Sequence, residues 1–336
     1  MDKQSGQLTH NDLTISLSDE KALTMEQGLA DTLDSSSAVH SWGAFYTKST
    51  TLYNEEGGSA DVSIVGAEDD ARMTEYFTFR TRVGHDPIPF EEDSVILTEK
   101  TALNLGLSVG DTFYVEAADG SRVPLTLTGI AENYMFTRLY LSNAQLESLL
   151  GGTPEWNTVY GLTGCTTEAE YNALRTKLLA CNYVSSVSFT EDTTSMFGSL
   201  IGSLNYVVVL IIVCAAALAA VVLYNLISVN LAERKKELAT IKVLGFYDKE
   251  VYRYIFREIE LLSLIGSGVG LLLGVPLHRF IILTVEMDQL MFIRTIAPRS
   301  YLLAVALTML FTFVVCFAMR RHVRHISMVE SMKAPE

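Results

Sequence analysis

The 336-residue chain contains no GxxxxGK[ST], no HExxH, no GxSxG and no CxxC. The first absence excludes ATP hydrolysis by a P-loop on this chain. The others exclude a zincin, a serine nucleophile elbow and a paired-thiol redox or zinc site. Cysteine is scarce, at four residues, and the six histidines are scattered without metal-ligand spacing, so no metal or cofactor is expected on the chain. His278, His322 and His325 read as solvated or interfacial residues. Basic residues are scarce in the first part: residues 1–198 hold 29 acidic and 11 basic side chains. That balance argues against a nucleic-acid partner. The opening MDKQSGQLTHND is polar, and is neither a signal peptide nor a membrane span.

What the first part lacks in apolar length, the second part supplies. Residues 199–336 hold 10 acidic and 14 basic side chains, a mildly basic balance suited to an anionic membrane face. Tyr206 to Tyr224 is an uncharged apolar run of the length a bilayer core requires. The spans are expected over about 204–226, 259–285 and 301–319, with Pro276 kinking the second. The loop between the first two spans carries Arg234, Lys235, Lys236, Lys242, Lys249, Arg253 and Arg257. The tail carries Arg320, Arg321, Arg324 and Lys333, whereas residues 286–300 have only Arg294 and Arg299. The positive-inside rule therefore puts the first loop and the C-terminus in the cytoplasm, and the acidic N-terminal domain outside.

Residues 1–198 read as an α+β domain. Leu13, Ile15 and Leu17 alternate as a strand, and Ser18 is expected to cap a helix over 19–33. Val39 to Tyr53 reads as a strand, Asn54 to Gly58 as a turn, and Asp61 to Val65 as the return strand. Residues 67–92 read as irregular, with Pro87 and Pro89 marking a crossover. Then come a strand over Ser94–Leu97 and a helix over Glu99–Leu105 stopped by Gly106. Strands Thr112–Glu116 and Val123–Ile130 are expected to pair, followed by a strand near Phe136–Leu141 and a helix capped by Ser142. Residues 157–189 supply strand, helix, strand, the helix capped by Thr166 or Thr167. Together 12–66 and 157–189 suggest a ferredoxin-like layer with a β-rich insertion over 67–156. Residues 199–330 form the helical membrane domain.

Between the first two spans lies NLISVNLAERKKELATIKVLG, residues 225–245. Leu231, Leu238, Ile241 and Leu244 share one helical face, with Glu233, Arg234, Lys235, Lys236 and Glu237 between the first two. Periodicity leaves two readings open. One is a surface helix that docks its apolar face in a partner's groove. The other is a solvated juxtamembrane charge cluster that only sets topology.

The stretch NLxxVNLAERKKELATIKVLGF, followed by Val251 and Arg257-Glu258, resembles the FtsX-like permease domain of ABC transporters, the MacB-type and lipoprotein-releasing group. The phrases VILTEKTALNLGLSVGDTFYV and LTGIAENY resemble, more loosely, the β-rich subdomain of MacB-type extracytoplasmic domains. The resemblance implies a coupling helix over about 230–245 that docks on a separate ATPase subunit through Leu231, Glu233, Arg234, Lys235, Glu237, Leu238, Ile241, Lys242, Leu244 and Gly245. ATP and magnesium would then sit on that partner and none on this chain. It also implies a second permease copy or repeat, residence in the bacterial plasma membrane, and a peptide, lipid, lipoprotein or other envelope substrate. The family has one more helix before its outer domain. The chain is therefore expected to be a fragment, a product of a misplaced start, or the back half of a two-repeat permease.

Three smaller features complete the expectations. Gly266, Gly270 and Gly274 recur every four residues inside a span, which suits close helix packing rather than a nucleotide loop. Cys165 and Cys181 flank a helix in the outer domain and could form a disulfide there. Glu258 and Glu260 are expected to snorkel or to pair with Arg253 or Arg257. Two functions remain in view. The chain is a non-catalytic permease subunit passing a partner's ATP-driven motion to the outer domain, or it is a membrane-anchored sensor or scaffold that regulates an envelope partner without transport.

Overall fold

The computed structural model describes residues 7–24, 28–117, 120–234, 237, 240–241, 244–285 and 296–324. The chain divides into two compact units, one built on residues up to Ser199 and the other on residues from Leu200 onward.

The first unit begins with β1 (Leu13–Leu17), whose side chains alternate between buried and half-buried. The single helix expected over 19–33 is instead two short ones, α1 (Lys21–Thr24) and α2 (Leu29–Asp34). Asp19, not Ser18, provides the cap: its carboxylate accepts from the Lys21 N–H at 2.9 Å, while the Ser18 hydroxyl donates to the Tyr183 carbonyl at 3.1 Å. β2 (Val39–Tyr53) and β3 (Ser59–Ala67) pair antiparallel around the Asn54 turn, where Asn54 Oδ1 accepts from the Gly58 N–H at 2.6 Å.

The stretch expected to be irregular contains α3 (Asp70–Tyr76), capped by Asp69 accepting from the Ala71 N–H. Only Met73 and Tyr76 of this helix are buried, too few to display a helical period in the sequence. β4 (Val95–Thr98) leads into α4 (Glu99–Leu105), which ends at Gly106 in the left-handed region. β5 (Thr112–Glu116) pairs with β6 (Arg122–Thr126). The expected strand Val123–Ile130 is broken at Leu127 and Thr128. Leu127 bonds back to Asp111, and the Thr128 N–H turns to the Val95 carbonyl. β7 (Gly129–Ala131) then runs parallel to β4. β8 (Arg138–Leu141), α5 (Asn143–Leu150), β9 (Thr158–Thr163), α6 (Glu168–Leu179) and β10 (Val184–Phe189) complete the unit. Thr167 caps α6 in a full capping box with Glu170, which satisfies two otherwise orphaned donors.

Strand order β10-β1-β9-β2 is antiparallel throughout. With α1 and α2 between β1 and β2, and α6 between β9 and β10, this is the ferredoxin-like arrangement. The insertion is not detached from it. At the far edge of β2 the same sheet continues as β3-β8-β4-β7, with the β5–β6 hairpin beside β2. Three apolar clusters hold the sheet. One packs β1, α2 and α6 around Leu13, Ile15, Leu33 and Leu178. One is aromatic, with Phe45 edge-on to Tyr76 at 5.6 Å and to Tyr160 at 4.7 Å. The third lies between α4, α5 and the hairpin strands around Phe113, Leu97 and Leu146.

The second unit is helical. Among the described residues it contains α7 (Thr190–Glu233), α8 (Asp248–Val285) and α9 (Pro298–Arg324); the division between the units falls within α7. Asn205–Asn230, Phe256–Thr284 and Pro298–Ala318 are long and apolar enough to cross a membrane, close to the expected spans. Pro276 lies inside α8, which continues to Val285. A small core joins the three helices through Ile227, Val251, Phe256, Ile259 and Cys316.

Candidate docking segment and membrane unit

The segment between α7 and α8 carries the sequence-predicted docking residues. Leu231 is the last leucine of α7, Glu233 follows it and is exposed, and Arg234 begins the turn beyond. Glu237 is helical and exposed. Lys235, Leu238 and Lys242 lie outside the described residues. Arg234 makes a two-pronged ion pair with Glu258 on α8, Nη1 to Oε2 at 2.8 Å and Nη2 to Oε1 at 3.3 Å. This corrects the expected pairing of Glu258 with Arg253 or Arg257. A bond across the loop ties the end of α7 to α8, which a bond within one helix would not do.

Ile241 and Leu244, expected on one docking face, are treated differently by the fold. Ile241 is half-buried against the core of Ile227, Val251 and Phe256, so it anchors the segment and does not present a surface. Leu244 is 72% exposed, and beside it Phe246 is 52% and Tyr247 78% exposed. Gly245 makes that tip possible. It has φ +94°, a region only glycine enters freely, and the Phe246 N–H reaches the Ile241 carbonyl at 3.4 Å. That six-to-one bond past a left-handed glycine is a Schellman stop. Tyr247 then starts α8: its carbonyl accepts from the Val251 N–H, and its own N–H donates to Glu250 Oε2 at 2.9 Å. Sequence reasoning did not put Phe246 and Tyr247 among the docking residues; the glycine directly before them was the signal that the chain turns outward there.

The glycine stripe also differs from expectation. A Cβ placed on Gly266, Gly270 or Gly274 would meet nothing within 4 Å. The stripe lines an open apolar groove of about 840 Å³, opposite Ala215 and Ala219 of α7 and Ala304 of α9. The hydroxyls of Ser267 and Thr308 in the groove donate to carbonyls of their own helices.

Cys165 and Cys181 are not bonded to one another. Both pack in the cluster under α6, Cys165 buried and Cys181 partly so. The Cys181 thiol instead has Thr32 Oγ1 at 3.5 Å and the Lys177 carbonyl at 3.7 Å as alternative acceptors for its one S–H. Burial pushes the Cys165 thiol's pKa up, which keeps it protonated and inert. In a non-reduced sample, iodoacetamide is expected to modify Cys181 in the folded chain and Cys165 only after denaturation. A mass spectrum showing neither modified in denaturant would mean the two are joined. Among the described residues no three of His, Cys, Asp and Glu come together as a metal site.

The chain combines three helices long and apolar enough to cross a membrane, a short charged linker ending in an apolar tip, and an α+β domain with a ferredoxin-like layer. Residues 209–328 match the family of FtsX-like permease C-terminal domains, so the resemblance carried by the linker holds over the spans as well. Among solved structures, the periplasmic region of MacB from Actinobacillus actinomycetemcomitans is similar at 13% identity and a TM-score of 0.34, over 57% of this chain and 94% of that one. The extracellular domain of the noncanonic ABC-type transporter YknZ from Gram-positive bacteria is similar at 14% identity and a TM-score of 0.32, over 54% of this chain and 100% of that one. No curated protein matches the chain.

Proposed function

We propose that the chain is the permease subunit of an FtsX/MacB-like ABC transporter. A separate ATPase, which carries the nucleotide and magnesium, docks on the linker between α7 and α8. Its ATP-driven movement passes through the spans to the α+β domain, which stands outside the cell and acts on a peptide, lipid or lipoprotein. The observation that carries this reading is the tip Leu244-Gly245-Phe246-Tyr247. Large apolar side chains are exposed there beyond the end of a span, on a segment pinned by Ile241 and by the Arg234–Glu258 pair. A passive anchor has no need to expose them. The excess of lysine and arginine in that linker supports its cytoplasmic side.

The test is nucleotide turnover by any ABC ATPase encoded beside this chain, measured in nanodiscs with and without it. Co-purification and a change in turnover of several-fold are expected. Unchanged turnover with no co-purification would leave the sensor or scaffold reading in its place. Labelling of Lys235 by a membrane-impermeant amine reagent on intact cells would overturn the orientation.

A further inference from the structure

Arg138, at the start of β8, is a cation without a counter-ion. Its Nη1 is shielded from solvent and has no hydrogen-bond partner among the described residues. No carboxylate among those residues forms an ion pair with it. Its guanidinium lies 5.4 Å from the Phe77 ring centre and 5.7 Å from that of Phe136, and it interacts with the hydroxyls of Tyr140 and Tyr160. Aromatic faces offset part of the cost of burying a charge. They do not satisfy a guanidinium N–H, and Nη1 is left without a partner although the residue as a whole is only half-buried.

Sheet register supplies a second orphan on the same face. Arg138 is paired with Ser63 and, through it, Ser49; one row further on, Tyr140 is paired with Val65 and Thr47. Paired residues point to the same side of a sheet, so Arg138, Ser63, Ser49 and Thr47 all project together. Thr47 Oγ1 is also buried without a hydrogen-bond partner. The main chain of Thr47 is clamped by the Asn157 side chain, with bonds of 2.9 Å to its N–H and to its carbonyl.

Phe136 flanks the guanidinium. It is 46% exposed and holds φ +63°, a left-handed conformation that an aromatic residue rarely adopts. The buried Asn133 keeps it there, donating from Nδ2 to the carbonyls of Met135 and Phe136 at 2.9 and 2.8 Å.

We propose that Arg138 and Thr47 form an oxyanion-binding site in the first unit, closed by the ring of Phe136. The ligand group is a carboxylate or a phosphate. It takes Nη1 and the Thr47 hydroxyl as donors, and Phe136 swings aside to admit it. The site goes beyond the permease reading and does not depend on which side of the membrane the unit faces.

Equilibrium dialysis of the full chain in a neutral maltoside detergent, against labelled inorganic phosphate or labelled acetate at low ionic strength, tests it. Saturable binding of at least one anion is expected. Preference for phosphate points to a phosphorylated source such as a lipid headgroup, and preference for acetate to a carboxylate. Arg138→Gln is expected to weaken binding by about tenfold or more, and Thr47→Val by about threefold or more. Phe136→Gly removes the cover and is expected to strengthen binding. Absence of saturable binding overturns the proposal, as does unchanged binding in both Arg138→Gln and Thr47→Val. Should Arg138→Gln fail to fold, Thr47→Val decides alone.

Discussion

Glu132→Ala is expected to destabilise the α+β unit by about 3 kcal/mol, the range for removing one partner of a buried ion pair. Glu132 has a fully buried side chain that meets Arg80 at 2.8 Å and His85 at 3.4 Å, and it accepts from the Tyr134 hydroxyl at 2.5 Å. Arg80 continues the network to Gln7 at 2.9 Å. Burial by itself would raise the carboxyl's pKa. The hydrogen bonds from Tyr134 and Arg80 and the charge of Arg80 outweigh it and hold the group below the usual carboxylate value. Tyr134 answers in the opposite direction, its hydroxyl pushed up to about 12 by burial and by the adjacent Glu132. A carboxyl with a depressed folded-state pKa contributes stability above its unfolded value of 4.5. That contribution is lost as pH falls from there through the lower, folded value. Urea unfolding monitored by far-ultraviolet circular dichroism should therefore show the wild type losing stability faster than Glu132→Gln below pH 4.5. Parallel pH curves for the two proteins would mean the network is solvated and contributes little.

This network was invisible in the sequence. Arg80, His85, Glu132 and Tyr134 come together only because the Glu132 N–H bonds to the Arg80 carbonyl and the turn at Gly84-His85 folds back. No local period reports such contacts. What was legible is what local chemistry dictates. β2 runs over the expected residues Val39–Tyr53 because β-branched and aromatic residues continue up to the Asn54 turn. α4 ends where Gly106 permits a left-handed residue, and the first candidate span, Asn205–Asn230, lies where charge disappears. Errors arose where long-range pairing overrode local signal. Val123–Ile130 looks like one strand, but its two halves have different partners. α3 has too few buried residues to leave a pattern. In the docking segment, periodicity grouped Ile241 with Leu244, which is correct for an isolated helix. The fold then divided them, because Ile241 meets the core of the second unit and Gly245 ends the helix directly after Leu244.

That division determines the strongest functional outcome. Leu244→Asp and Phe246→Asp are each expected to cut association with the ATPase by tenfold or more, and to abolish the change in its turnover in the double variant. Both side chains are exposed, so a charge there leaves the permease's own packing intact. In a partner's groove the same charge would be buried without a counter-ion, which typically costs several kcal/mol. Ile241→Asp should act differently. It buries a charge against Ile227, Val251 and Phe256, so it should lower the permease's thermal stability in detergent as well as its coupling. Comparing the three separates a contact from a support. Loss of binding at normal stability for Leu244→Asp and Phe246→Asp, but at reduced stability for Ile241→Asp, is the expected pattern. If Leu244→Asp and Phe246→Asp both keep wild-type association, the partner does not use this tip. The exposed charges of Glu233 and Glu237 would then be the surface to test next. A gradual loss with rising salt would identify those charges as the contact, since exposed ion pairs are screened and apolar burial is not.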